Sequence, residues 1–500
     1  MNTIALTAAA PRRFADLPSP RALPVLGNAH QIQPARMHLQ LEQWARELGT
    51  PYRMRIGPLQ VMVVDDPEVA QTVLRDRPSG LTRASMFRPI FAELGIDGLF
   101  STEGDDWLPQ RKLIMGSLAA SNFRGFFPTI RAITERLHRR WQRAATAGEV
   151  LEMTQELIRF TVDVTSALSF GDDPNTLEQS GHVIQDHLAA IFPAIMKRTL
   201  APVPHWRWFK LPADRRLDRH LAAVHAYAHE CIAKARARLA AHPGAEPANA
   251  LEAMLLQADQ PGSGFTDEVV VANVLTLLLG GEDTTAHSLA WTMMYLAADP
   301  ALQQHMHHAA MEALGSESVC TAHEGVRELE VFEHLATEAT RLRPVAPFLG
   351  LAATRDMVIG EVEVPRGTQV MTLFRPAQIS PRHFSAPLRY DPMRWQRGRG
   401  HSGDGDAAVH DPRAYLQFGA GARVCPGRHL AGVEMRLVLS MLLKHFEVEL
   451  ACDPGEIDEV QNFTVTPSKM PVRLRLRQPA AQGGVRAAPA GAARCPFGHG

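Results

Sequence analysis

Apolar and polar residues alternate through YRMRIGPLQVMVVDDP (Tyr52–Pro67), which predicts two strands around a Gly-Pro turn. Asp65, Asp66 and Pro67 then mark a helix start, where acids and proline suit the first turn. From about Asp105 to Leu256 the apolar positions recur mostly at helical spacing. A stretch rich in proline and aromatics, FPAIMKRTLAPVPHWRWFKLPADRR, interrupts them. The next helix begins near Thr266, favoured by Asp267 and Glu268, and ends near Pro300. Its length is roughly 30 residues, about 45 Å at 1.5 Å per residue, enough to cross a whole domain. A helix over Val331–Leu342, short strands between Met357 and Leu373, and a final helix over Arg428–Phe446 complete the pattern.

No internal repeat and no Gly/Ser linker divides the chain, although its 500 residues would suggest several domains of about 100–200 residues on length alone. The pattern therefore predicts one large, mainly α unit with a minor β part over residues 21–478. The Ala/Pro-rich segment 1–20 is expected to be mobile, and the Ala/Gly/Pro-rich segment 479–500 to be a disordered tail. The formal net charge of −1 gives no reason to expect nucleic acid. The odd cysteine count, five, with no CxxC spacing, disfavours a disulfide framework or a cysteine zinc site and fits a reducing, cytoplasmic setting. The N-terminus lacks the pattern of a signal peptide. The most apolar stretch, Val269–Gly281, is broken by Asn273 and Thr276 and is predicted to be a buried helix, not a membrane span.

Four places depart from plain patterning. Gly280 and Gly281 sit inside the long helix, where each costs about 1 kcal/mol against alanine. Either a bulky group lies against the backbone there, or the helix is kinked. Glu282, Asp283, Thr284 and Thr285 follow; an acid and an alcohol could carry protons to a buried site, and a buried Asp283 should have a partner. Glu338 and Arg341 share a helix face, as do Trp107 and Arg111, whose donors could hold a carboxylate. Arg394 could join Glu338 and Arg341 in a buried cluster; a surface ion pair is the plainer alternative.

The fourth place is FGAGARVCPG, Phe418–Gly427, preceded by a predicted strand. Its GxGxx resembles a dinucleotide fingerprint, but the third position is Val424, and too little chain follows to build a nucleotide-binding sheet. Cys425 instead stands at the start of the final helix, where backbone N–H groups stabilise a thiolate. Such a thiolate is a haem ligand in some proteins and an inert buried cysteine in others.

FxxGxRxCxG is complete as Phe418, Gly421, Arg423, Cys425 and Gly427, and resembles the haem-ligand loop of the cytochrome P450 family. WLPQR, GGEDTT and EATR resemble further motifs of that family, in the family's order, over roughly residues 20–478. The branch resembled most, through GLFSTEGDDW, is the soluble bacterial type that hydroxylates fatty acids. The resemblance implies a single-domain P450 fold with a long helix over haem b. It implies Cys425 as the iron ligand and Trp107, Arg111 and Arg423 on the propionates. Asp283 and Thr284 would be the proton-delivery pair, Gly280 and Gly281 room for dioxygen and haem, and Glu338, Arg341 and Arg394 a structural triad. One departure is Leu351, where many members carry a further propionate-binding arginine. No role is assigned to Glu282.

The activity implied is monooxygenation of an apolar small molecule of fatty-acid, terpenoid or steroid type. Phe100, Ala346, Pro347 and Phe348 are expected in its pocket, beneath a lid including Phe192 and Trp206–Phe209. Electrons would come from a separate ferredoxin or flavodoxin-type donor with an NAD(P)H reductase, docked at Lys112, Arg428 and Arg436. A monomer is expected. A peroxide-driven peroxygenase, an electron-free isomerase and a haem-binding sensor are the alternatives. Cys495, in a second Cys-Pro stretch, is expected to have no part in the site.

Overall fold

The computed structural model describes residues 11–77, 79–83, 87–179, 183–199, 201, 204–396 and 410–477. Phe192 (its side chain), Cys495 and the tail lie outside the described residues. Most of what is described is helical, with four separate sheets of two to five strands.

The central helix is Asp267–Ala297. Thr266 caps it by accepting from the Val269 N–H, and two acids occupy its first turn. Every residue from Thr285 to Leu296 is buried, covered by the helices Met153–Phe170, Glu330–Leu342 and Arg428–His445. By length and composition this is the one helix among the described residues that could cross a membrane, yet protein surrounds it. Trp141, Trp291, Phe332 and Phe446 anchor the main core around it.

The two strands expected before Pro67 are Tyr52–Ile56 and Leu59–Val64, paired antiparallel. The helix Pro67–Arg75 follows, with Asp66 accepting from the N–H groups of Glu68 and Val69, both at 2.9 Å. These strands belong to a five-stranded sheet continued by Gln369–Leu373, Phe348–Ala353 and Leu81–Arg83. Patterning does not find Phe348–Ala353, because FLGLAA carries no polar alternation.

Three other expectations change. Residues 1–20 are not wholly mobile: Arg12–Arg13 pairs with Val362–Glu363, and Phe14 and Leu17 are buried against Val73, Leu351 and Val370. The proline-rich interruption is mostly helical. The helix Val183–Thr199 runs through Pro193, and Pro212–Ala241 resumes at a proline suited to a first turn. Leu416–Gly427 contains no strand, only turns and one short 3-10 turn, so the GxGxx stretch lacks the strand a dinucleotide site requires.

Candidate functional site

A cavity of about 360 Å³ lies inside the protein, lined on one side by Phe418–Ala420, Arg423 and Cys425–Gly427, and on another by Gly280, Gly281 and Thr284. Two left-handed glycines shape the cysteine loop: Gly419 at φ 73° and Gly421 at φ 69°. A Cβ on Gly421 would also come within 2.9 Å of the Arg75 Cα, so the helix Pro67–Arg75 holds this turn from outside. The Cys425 N–H donates to the Phe418 carbonyl at 2.8 Å, which closes the loop on itself.

The Cys425 surface is open, and it is surface of the cavity that the residue lines. Burial raises the thiol's pKa, while the N–H groups of Gly427 and Arg428 and the Arg111 charge pull it down without winning. The expected thiolate-favouring N–H groups are thus present, but a cationic ligand is needed to hold the sulfur ionised.

The central helix forms the facing wall. Thr284 donates its hydroxyl to the Gly280 carbonyl at 3.0 Å. The two glycines differ in cause. A Cβ on Gly280 would meet nothing within 4 Å, and the residue faces the cavity. A Cβ on Gly281 would overlap the Thr165 methyl, so that glycine is required first by helix packing. Asp283 is half-buried, and burial raises it to about 6. The partner expected for it is missing: its carboxylate makes no hydrogen bond or ion pair among the described residues. Glu282 points elsewhere in the packing, buried with Oε2 unpartnered, and burial first and the Asp283 charge second push its pKa well up. Asn273 explains itself here. Its Oδ1 accepts from the Leu99 N–H at 2.9 Å and its Nδ2 donates to Gln110 Oε1, which holds Phe100 at the cavity wall.

One edge of the cavity gathers cations that patterning does not bring together. Arg77, Arg83, Arg111 and Arg423 all line it. Among them stands Glu103, which accepts from Arg423, from Arg77 Nη2 at 3.0 Å and from the Arg83 backbone N–H at 2.9 Å. Four guanidiniums with one carboxylate leave a surplus of positive charge in a poorly solvated place. Nε of Arg77 and Arg83 and both Nε and Nη1 of Arg423 are buried without partners. Such orphaned donors call for an anion with several oxygens. The two propionates of haem supply that, and the Cys425 sulfur supplies an iron ligand, so the residues fit the group. Trp107 is buried under the Arg423 guanidinium, whose carbon lies 4.5 Å from the ring centroid. Arg423 itself is tied to Glu103, so only its other donors are left for a cofactor.

Glu338, Arg341 and Arg394 do form a buried cluster. Glu338 accepts from Arg341 Nε and Nη2, both at 2.8 Å, from Arg394 Nε at 2.9 Å, from Trp395 Nε1 at 3.0 Å and from the Asp391 N–H at 3.0 Å. Burial alone would raise this carboxyl, yet Arg341 and Arg394 hold it below its ordinary range. Arg341 also donates to the carbonyls of Gln378 and Pro387, so one buried pair pins two loops to the helix. None of the three lines the cavity.

Beyond these groups the lining combines apolar side chains with hydroxyls such as those of Thr165, Ser169, Thr276 and Ser288. Phe100, Ala346 and Phe348 contribute to it, with Phe91, Leu99 and Ile195. Pro347 does not: it is buried outside the cavity, its carbonyl accepting from Phe374. The charges of the 86–100 segment turn away and pair, Arg88 with Asp97 and Asp106, and Glu93 with Arg207 and Trp206. Trp208 and Phe209 are exposed and line no part of the cavity. Glu434 carries no signal in the sequence; it lines the cavity with both carboxylate oxygens buried and unpartnered, and burial raises its pKa well up.

The family model described as Cytochrome P450 matches residues 17–473. The chain is 28% identical over 458 residues to cytochrome P450 11B2, mitochondrial, of Mus musculus, covering 87% of this chain and 86% of that protein. It is 27% identical over 433 residues to cyclooctat-9-en-7-ol 5-monooxygenase of Streptomyces melanosporofaciens, with 86% and 89% covered. Human 25-hydroxyvitamin D-1 alpha hydroxylase, mitochondrial, is 25% identical over 459 residues, with 88% of each covered. Among solved structures, the cytochrome P450DA haem domain superposes with a TM-score of 0.80, covering 93% of this chain and 98% of that one. Its 24% identity speaks for the fold alone.

Proposed function

This chain belongs to the cytochrome P450 family and is a haem-b-dependent monooxygenase; on that premise we propose that it oxidises a neutral, apolar molecule of terpenoid or steroid type. The observation that carries the substrate class is the lining: past the cation edge, the cavity offers aromatic and aliphatic side chains with a few hydroxyls, and no further unpaired cation to anchor a carboxylate. A fatty acid, the other class considered, would need such an anchor or a carboxylate left in solvent. The relatives' names support the same classes: one is a cyclooctatenol monooxygenase, another a vitamin D hydroxylase.

Haem, when bound, supplies the activation of dioxygen and the transfer of one oxygen atom. The chain's residues do the rest. Cys425 would supply the sulfur that ligates the iron. Gly280 leaves the facing wall open. The Thr284 hydroxyl, held by the Gly280 carbonyl, is placed to pass a proton toward the cavity. Asp283, titrating near 6, reloads it from the half-exposed side of the helix. The apolar walls exclude water from the substrate. Glu338, Arg341 and Arg394 hold the loops that lead to Cys425.

Electrons come from a separate donor of ferredoxin or flavodoxin type with its NAD(P)H reductase. Of the three docking cations expected, Lys112 and Arg428 are exposed. Arg436 is committed to Glu333, with Nε and Oε2 2.8 Å apart, and leaves the docking set. A monomer in the cytoplasm completes the reading. The test is a binding screen followed by the shift of the haem Soret band across steroids, terpenes and fatty acids. Tightest binding by a carboxylate-bearing chain over neutral polycyclic compounds would overturn the substrate class.

A further inference from the structure

His287 follows Thr284 by three residues on the central helix, inside the buried run Thr285–Leu296, and lines no part of the cavity. Its polar neighbours satisfy themselves on their own helix. Ser288 donates to the Thr284 carbonyl and Thr292 to the Ser288 carbonyl, both at 2.7 Å. His287 reaches off the helix instead: its Nδ1 and Thr464 Oγ1 lie 2.8 Å apart in a hydrogen bond. Trp291, four residues on and so on the same face, donates from Nε1 to the Val465 carbonyl at 3.4 Å. One face of the helix thus grips the hairpin made by Glu459–Gln461 and Val465–Pro467.

We propose that His287 is a positioning residue for the substrate: by holding Thr464 it aims Phe463 into the cavity. Three observations carry this. First, the hairpin's tip is residues 462–464, and Thr464 on His287 is its only side-chain hydrogen bond among the described residues. The strands below are tied elsewhere, Gln461 Oε1 to the His38 N–H at 3.0 Å and the Val465 N–H to the Val345 carbonyl at 2.9 Å. Second, Phe463 lines the cavity while its neighbour Thr464 is buried away from it. A tie at one fixes the backbone that aims the other. Third, Phe463 belongs to a row of rings on the cavity wall. Its centroid lies 5.7 Å from that of Phe100, which lies 5.4 Å from that of Phe91, distances at which aromatic pairs attract. The Phe100 side of the row hangs from the same helix, because Asn273 Oδ1 accepts from the Leu99 N–H at 2.9 Å. Two polar pegs on one helix, Asn273 and His287, therefore set the spacing of the row. This role requires only that the cavity receives the substrate, and it holds for any apolar class.

The experiment uses the full haem-loaded chain and three iron-binding probes: imidazole, 4-phenylimidazole and 4-(4-biphenylyl)imidazole. Dissociation constants are read from the Soret shift. In the parent each aryl arm should tighten binding over imidazole. Thr464→Val keeps the side chain's shape and loses its hydroxyl; it should lose about fivefold of the gain from the arms and leave imidazole unchanged. His287→Leu should do the same, and the double variant should lose no more than either alone, because both remove one contact. Thr464→Ser should keep the parent's gain. Should His287→Leu load haem poorly, the contrast between Thr464→Val and Thr464→Ser decides alone. A parent that gains nothing from the arms, or an unchanged gain in Thr464→Val, overturns the assignment. So does a loss that Thr464→Ser shares, or an equal weakening of imidazole, which would make the pair a general support of the haem cavity. Additive losses in the double variant would separate His287 from Thr464 and overturn it too.

Discussion

The Thr284 hydroxyl lies 3.0 Å from the Gly280 carbonyl, one turn back along the central helix, so the alcohol is held at the cavity wall by the residue that keeps the wall open. Removing it should separate electron use from product. Thr284→Ala should consume reductant at a similar rate while peroxide replaces most of the hydroxylated product. Coupled turnover in that variant would remove Thr284 from the proton path.

Asp283 stands beside it with a carboxyl raised to about 6 by burial. Below that pH it holds a proton to donate; above it the proton must be recaptured before each turnover. The turnover rate under saturating donor should therefore fall as pH rises through about 6. Asp283→Asn should lose that inflection and turn over roughly 100-fold more slowly, within the range ordinary for a lost acid–base group.

Gly280 and Gly281 should part company under mutation. Gly281→Ala drives a methyl into Thr165 and should cost about 1–3 kcal/mol, as overpacking does. Thr165→Ser removes the opposing methyl and should restore the melting temperature in the double variant. Gly280→Ala meets no protein atom and should keep or raise stability while lowering activity. Calorimetry on the two single variants separates them.

The triad should set acid stability. Glu338 has a carboxyl held below its ordinary 4.5, so its contribution is fully present above that value and is lost as pH falls through the lower folded value. Acid unfolding of the parent should steepen below about pH 4.5 for that reason. Glu338→Gln leaves Arg341 and Arg394 buried without their counter-charge and should cost about 3–5 kcal/mol at neutral pH. Its unfolding should depend less on pH in the acid range, which equilibrium denaturation at several pH values reads directly.

The long helix, its cap, the hairpin ahead of Pro67 and the triad are legible in the amino-acid sequence because each carries a local signal: a periodicity, a capping residue or an i, i+3 pair. Features that depend on partners distant in the chain are not. Gly281 reads as a site glycine in the sequence because Thr165, its reason, lies on another helix. Arg83 belongs to no motif, and it reaches the cation edge only through strand pairing with Phe348–Ala353 and its backbone bond to Glu103. Glu103 becomes the centre of the cation edge through residues 26 and 320 positions away. Phe348–Ala353 escapes pattern reading because a strand without polar alternation leaves no period-two signal.

Every role assigned to the cavity depends on Cys425 being the iron ligand of a haem thiolate centre, and the spectrum of the reduced, carbon monoxide-bound protein decides that point. A Soret band displaced well to the red of histidine-ligated haem proteins is expected in the parent, with return to the histidine-type position in Cys425→His. A parent spectrum already at the histidine-type position, or a red-shifted band that survives Cys425→His, would contradict it.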